Sequence, residues 1–307
     1  MNACVSVLLA TFNGARFLGE QLASLAAQDV ARLDVSVSDD GSTDGTRALL
    51  EQWAATWRKG RFVIAAGPGQ GFAENFRALA LIPQPEADYV AFCDQDDIWQ
   101  PGKLSAAIAA LSANAADRPA VYFSRTRLID DSGQTIGYSH RFSRPPGFGN
   151  ALVQSIGGGN TTVFNRRGFS LFAASAARAP FLFHDWWGYI IVSGAGGYVH
   201  YDPEPHILYR QHGGNQLGQD MSAGARAGRL RGQFEGGLRG WDDANLASLQ
   251  ASSDLLTQEA RDIVAEFTRL RQSQGLAALV RLLRSPIRRQ TAMGNVSLGL
   301  AAMLGRL

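Results

Sequence analysis

Through its first hundred residues the chain alternates between two hydrophobic periods. Cys4 to Ala10 is a short apolar run, the pattern of a strand covered on both faces of a parallel sheet. Leu18, Leu22 and Leu25 then recur at helical spacing within Phe17 to Gln28, and Leu33 to Ser38 alternates as a second strand. Thr43 to Arg58 predicts a second helix with Leu49, Leu50, Trp53 and Trp57 on one face. Arg61 to Ala66 predicts a third strand, Gly71 to Leu81 a third helix, and Ala87 to Cys93 a fourth strand. Pro101 is expected to open the next helix, because proline is tolerated in a first turn. Such alternation implies right-handed crossovers and an open, doubly wound, mostly parallel α/β sheet with ligands at the carboxyl ends of its strands.

Beyond Ala120 the pattern is mixed. Val121 to Phe123 and Asn160 to Phe164 predict strands, Arg167 to Ala177 and His184 to Val192 predict helices, and Pro203, Pro205 and Gly213-Gly214 predict turns. From about Met221 the chain reads as helical, with a glycine- and arginine-rich opening (Gly224 to Gly240) expected to be mobile. The expected organisation is a sheet domain over 1–220 and a C-terminal helical extension over 221–307.

With 307 residues, 46% apolar and 18% charged, the chain can bury a substantial core. A net charge of +2 argues against nucleic acid as the main partner. Cys4 and Cys93 both sit in strand-like apolar runs, which reads as buried thiols in a reducing compartment. With no basic leader and no apolar run long enough to span a bilayer, the expectation is a cytoplasmic protein. The charge is uneven, however: Thr268 to Leu307 holds seven arginines and no Asp or Glu. Leu276, Leu279, Val280 and Leu283, and then Val296, Leu300, Met303, Leu304 and Leu307, fall at helical spacing in that tail. Two readings stay open: a basic amphipathic tail lying on anionic lipid at the inner-membrane surface, or a helical pair packed on the main domain.

The densest chemistry closes the fourth strand. Tyr89 to Cys93 runs into Asp94, Asp96 and Asp97, three carboxylates within four positions. Crowded carboxylates raise one another's pKa unless a cation sits among them, and a hard divalent metal gripping an anionic partner is the simplest occupant. The second strand ends likewise in Asp39-Asp40-Gly41-Ser42-Thr43-Asp44. Thr43 or Asp44 can cap the next helix and Gly41 permits a tight turn, which leaves Asp39 and Asp40 unexplained by capping.

Taken together, these segments resemble a family 2 glycosyltransferase of the GT-A (Rossmann-like) fold, and more narrowly its bacterial rhamnosyltransferase-like branch. The matching residues run in order from Val7 to Gly14, Asp39 to Thr46, Gly71 to Phe76, Cys93 to Trp99, His184 to Trp187, and Tyr209 to Asn215. The resemblance implies that Thr11, Phe12, Asn13, Asp39 and Asp40 hold the base and ribose of a nucleotide, with Asn75 helping to place it. Asp94 and Asp96 become the DxD pair, Asp96 binding Mg²⁺ or Mn²⁺ directly, with Asp97 orienting and His212 near the diphosphate or metal. Asp185 becomes the catalytic base. Trp186 and Trp187 are expected to divide, one in the core and one stacking on sugar in the acceptor pocket, since helix neighbours point about 100° apart. Asn160, ending the Gly157-Gly158-Gly159 run, is either part of the sugar pocket or of a flexible turn, and His184 is expected to be a satisfied structural histidine.

The implied reaction is metal-dependent, inverting transfer from a dTDP-linked rhamnose, or else a UDP-hexose, to a saccharide hydroxyl in surface-polysaccharide assembly, the acceptor lipid-linked. Three rivals fit less well. A haloacid-dehalogenase-like phosphatase motif would need Thr or Val at Ile98 and an earlier position in the chain. A pyrophosphorylase would need a Gly-rich basic signature after the first strand. A catalytically silent carbohydrate-binding module has no need of both Asp96 and Asp185.

Overall fold

In the computed structural model residues 3–115, 117–212 and 237–307 are described. The opening pattern folds as its periods dictate: β1 (Cys4–Thr11), α1 (Ala15–Ala26), β2 (Arg32–Asp39), α2 (Thr46–Thr56), β3 (Phe62–Ala66), α3 (Phe72–Ala80) and β4 (Tyr89–Cys93). These four strands pair in parallel in the order β3-β2-β1-β4. Alternate side chains of β1 and β4 enter separate cores: Leu8 and Phe92 pack on one face, Val7, Leu9, Ala91 and Cys93 on the other. The buried Cys93 and half-buried Cys4 are both free thiols.

The sheet then continues where the sequence pattern gave less warning. A two-residue β5 (Ile98–Trp99) precedes α4 (Lys103–Asn114), whose N-cap is Gly102, so Pro101 stands before the helix instead of opening it. β6 (Ala120–Ile129) is longer than expected and forms a hairpin with β7 (Thr135–Tyr138). The short α5 (Phe148–Ala151) and a 3₁₀ turn at Gly159–Thr161 lead to β8 (Val163–Asn165), antiparallel to both β4 and β6. Asn160 therefore lies in the 3₁₀ turn and not in the strand. Next come α6 (Arg166–Ala176), α7 (His184–Gly194) and β9 (Tyr198–Arg210). β9 contains Pro203 and Pro205, the residues expected to mark turns. The register against β6 slips between Ser124 and Arg125 and again before Arg127, which accommodates residues that cannot donate to the ladder.

The boundary expected at residue 220, the Gly213-Gly214 turn and most of the glycine- and arginine-rich opening, up to Gly236, lie outside the described residues. The C-terminal helices are α8 (Gly237–Ala251), α9 (Gln258–Gln272), α10 (Gly275–Arg284) and α11 (Ala292–Met303). Leu249, Phe267, Leu270, Leu282, Leu298 and Leu307 join the same apolar cluster as Phe92, Phe164 and Phe172, so these helices extend the core of the sheet. Leu276, Leu283 and Met293 nevertheless remain 71%, 75% and 77% exposed. No helix among the described residues is long and apolar enough to cross a membrane.

Candidate active site

The carboxyl ends of β1, β2 and β4 converge on one rim. At the end of β1, the chain turns through Asn13 at φ 47°, a left-handed conformation that asparagine tolerates. Asn13 is held from both sides: its N–H donates to Ser42 Oγ at 2.8 Å, and its Oδ1 accepts from Thr43 N at 2.8 Å. The exposed Phe12 has its backbone gripped by the Gln95 side chain, whose Oε1 accepts from Phe12 N (2.8 Å) and whose Nε2 donates to Phe12 O (3.0 Å). A Cβ at Gly14 would lie 2.2 Å from Gln95 Oε1, so a side chain there would displace the Gln95 amide from Phe12. Gln95, between the two DxD acids, is a positioning residue that the sequence pattern did not single out.

Asp39 accepts from Thr11 Oγ1 at 3.0 Å and from Ser42 Oγ, fastening β1 to the loop after β2. Asp40 directs its two oxygens at Gly69 N (2.6 Å) and Gly71 N (2.9 Å), so it organises the loop after β3. Asn75 is buried; its Nδ2 donates to Ser38 O at 3.0 Å, and its Oδ1 has no hydrogen-bond partner. Asp44 accepts from Thr46 N at 2.9 Å and Ala15 N at 3.1 Å, tying the starts of α2 and α1 together, while the N-cap of α2 is Gly45 and neither Thr43 nor Asp44. Thr11, Asp40 and Asn75 thus build the rim from beneath, while Phe12 and Asn13 present its surface.

The acidic tip of β4 is divided by burial. Asp97 is fully buried, accepting from Arg210 N at 3.0 Å and from Asn160 Nδ2. That contact makes Asn160 a support for Asp97, in place of the open sugar-pocket position expected. Asp94 is pushed up to about 7, first by burial and then by the charges of Asp96 and Asp185. Asp96 Oδ2 lies 2.8 Å from His212 Nε2. Arg210, itself buried, donates Nε to Asp96 O (3.1 Å), Nη1 to Asp131 O (3.1 Å) and Nη2 to Glu20 (2.8 Å), and its guanidinium lies over Phe17. One side chain therefore ties the DxD loop to α1 and to the β6–β7 hairpin. Lys103 is buried beneath the same cluster with Nζ 3.0 Å from the Trp99 ring centroid, and burial pushes its pKa well down.

Asp185 sits in the first turn of α7, where helix N–H groups favour a negative charge. Burial still raises its pKa to about 6, with the N–H groups of Trp186 and Asp185 itself pulling the other way. Its neighbour His184 corrects an expectation: it is buried, but neither ring nitrogen has a hydrogen-bond partner. The ring packs 3.8 Å from Phe76 and 4.7 Å from Phe92, centroid to centroid, and burial lowers its pKa to about 3, so it is neutral. A Cβ on Gly159 would lie 2.1 Å from His184 Nε2, and one on Gly157 would lie 2.6 Å from Phe123. The glycine run is thus demanded by close packing, not by flexibility.

Trp186 and Trp187 are corrected as well. Both are buried in the core, Trp186 donating Nε1 to Ala151 O (2.6 Å) and Trp187 to Ser175 Oγ (2.9 Å). Helix α7 is enclosed on nearly all sides, so residues pointing 100° apart both meet protein.

The structure joins Asp96 to His212, and the charges of Asp96 and Asp185 both act on Asp94. Among the described residues no group of three potential ligands is gathered tightly enough to enclose a metal. The donor set nonetheless suits a hard divalent ion, which binds through one or two carboxylates and takes its remaining ligands from substrate phosphates and water.

Comparison with known proteins agrees with this architecture. The chain is 28% identical over 234 residues to dTDP-rhamnosyl transferase RfbG of Shigella flexneri, covering 72% of this chain and 78% of that protein. Among solved structures, S. aureus TarS 1-349 in complex with UDP superposes with a TM-score of 0.56 at 16% identity, over 87% of this chain and 71% of that one. The mannosyltransferase PcManGT from Pyrobaculum calidifontis, in complex with GDP-Man and Mn²⁺, gives 0.50 at 17% identity over 99% and 86%. These structures share the GT-A fold. The model of the family described as glycosyl transferase family 2 matches residues 6–175, more than half of the chain, and the chain belongs to that family.

Proposed function

We propose that this glycosyltransferase is metal-dependent and inverting, and that it moves L-rhamnose from dTDP-rhamnose to a hydroxyl of a saccharide acceptor in bacterial surface-polysaccharide assembly. The observation that carries the reading is the meeting of two separated acid sites, Asp94/Asp96/His212 and Asp185, on the sheet rim of a chain related along most of its length to a dTDP-rhamnosyl transferase. The Thr11–Asn13 turn and Asp39 receive the nucleoside. Asp96 and His212, joined at 2.8 Å, are the residues that would hold Mg²⁺ or Mn²⁺. That ion, when bound, supplies Lewis-acid neutralisation of the charge left on the departing phosphate. Asp185 takes the proton of the attacking acceptor hydroxyl, and the hydroxyl oxygen displaces dTDP from the anomeric carbon in one step.

Metal-dependent release of dTDP from dTDP-rhamnose in the presence of a saccharide acceptor tests this directly. Turnover is expected with Mg²⁺ or Mn²⁺ and to fall to background with EDTA. Full turnover in EDTA would remove the metal from the mechanism, and turnover only with UDP-hexoses would replace the donor.

The acceptor is taken to be lipid-linked, and the placement of the enzyme follows from α10 and α11. Leu276, Val280 and Leu283 form one exposed stripe, and Met293, Val296 and Leu300 another. Exposed Arg284 and Arg288 lie within the same acid-free tail. A bilayer containing anionic lipid suits that combination better than a second copy, whose own arginines would be brought against these. Burying one leucine stabilises by about 1.5–3 kcal/mol, so Leu283→Glu is expected to weaken co-sedimentation with anionic vesicles by about tenfold or more. Equal partitioning of the variant and the parent chain would remove the membrane from the proposal.

A further inference from the structure

A second concave site lies away from the carboxylate cluster, between β6, β7 and β9. It encloses about 580 Å³ and is lined by Arg125, Arg127, Arg141, Tyr138, Glu204 and His206 among others. That volume falls within the usual range for small-molecule sites. His206 and Arg210 are four residues apart on β9, which at strand rise separates the pocket from the Asp97 anchor by about 13 Å.

Three guanidiniums gathered in one hollow repel one another, and here little offsets the repulsion. None of the three makes an ion pair with a carboxylate among the described residues. Arg125 donates Nε to Ser139 O at 2.8 Å, a neutral partner. Arg127 Nε is buried with no hydrogen-bond acceptor at all. The Arg125 and Arg127 guanidiniums lie 4.9 and 5.8 Å from the centroid of the same Tyr138 ring. Stacking of that kind fixes the planes of the two forks without neutralising them. Nearby acids are otherwise engaged: Asp202 accepts from Tyr122 Oη (2.8 Å) and Glu204 N (2.9 Å) and pairs with His206 (3.2 Å). Glu204 is the one carboxylate on the lining.

We propose that this pocket binds a phosphoryl group. Three positive charges, two of them fixed over Tyr138, against one carboxylate leave an excess matching a phosphomonoester, which carries about −1.5 to −2 at neutral pH. Planar guanidiniums held at defined angles bind phosphate oxygens in pairs. The hollow has room beyond the phosphate for a sugar ring, so the group arrives either as free phosphate or on a phosphorylated saccharide. The inference does not depend on the transfer chemistry proposed above, because its readout is binding.

Isothermal titration of the full chain at low ionic strength, first with inorganic phosphate and then with α-D-glucose 1-phosphate, tests it. Binding is expected for both, weakening as salt is added. Arg127→Gln should weaken it by about tenfold or more, as should the exposed Arg141→Gln, whose melting temperature should stay at that of the parent chain. Tighter binding of the sugar phosphate would assign the site to a phosphorylated saccharide, and equal affinity would assign it to phosphate itself; both support the site. Failure of the parent chain to bind either probe would overturn it. So would unchanged affinity in both arginine variants, or an affinity lost in Asp96→Asn and kept in Arg127→Gln.

Discussion

Asp185→Asn is expected to lower kcat by about 10²–10⁴-fold while leaving donor affinity close to that of the parent chain, and at the same time to make the protein harder to melt. Both effects come from one desolvated charge, that of the half-buried Asp185. As proposed base, Asp185 must be ionised, and its pKa of about 6 places the acid limb of kcat/KM there, falling about tenfold per pH unit below it. The same shift sets the sign for stability. The folded state holds the proton up to about 6, whereas the ordinary carboxylate value is 3.8. The contribution to stability is therefore full below about 4 and is lost as pH rises through about 6. Asparagine removes the desolvated charge, so the variant should melt about 5 °C higher at pH 8, with the difference vanishing near pH 4. Thermal melts at several pH values, read beside turnover, check both halves. Parent-like turnover would dismiss Asp185 as base, and an unchanged melting temperature at pH 8 would dismiss the desolvated charge as a cost to the fold.

Arg210→Met is expected to destabilise the fold by about 2–4 kcal/mol and to abolish detectable donor binding. Methionine fills much of the volume but donates nothing, so Asp96 O and the Asp131 O of the β6–β7 hairpin lose their donor. Glu20 is 56% exposed and regains water, so most of the loss comes from the carbonyls. The backbone N–H that serves Asp97 survives the substitution, which leaves that carboxylate in place while the Asp96 peptide loosens. Arg210→Lys should rescue little, because a point charge on a flexible stem cannot reach three directions as a planar fork does. Urea melts and dTDP titration are the measurements. Parent-like donor affinity in Arg210→Met would deny the clamp any part in shaping the site.

What the sequence disclosed and what it hid follow from how local each determinant is. β1 and β4 were legible because a strand buried on both faces must be apolar within itself. β9 was not: from Tyr198 to Arg210 it is mostly half-buried, mixes His, Asp and Glu with two prolines, and owes its place to pairing with the distant β6. β5, two residues long, has no pattern to read. In the site, the carboxylates of β4 announced themselves by crowding at the strand end, and Asp96 there lies 2.8 Å from His212. Gln95, Arg210 and Asn160 act through contacts at sequence separations of 63 to 190, which no spacing rule captures. The misjudged tryptophans carried a usable signal: Trp186 to Val192 lacks any charged residue, the mark of a helix buried all round.

His184 gives the site its mechanical character. Its ring fills the space between Phe92 on β4, Phe76 on α3 and the backbone of Gly159, so the start of α7 is braced against the strand that ends in Asp94. Close-packed contacts of this kind transmit displacement instead of absorbing it. The two acid sites are thus held at a set separation, like the jaws of a gauge. With Asp185 as the proposed base, substrates would be sorted by whether their reacting atoms span that opening.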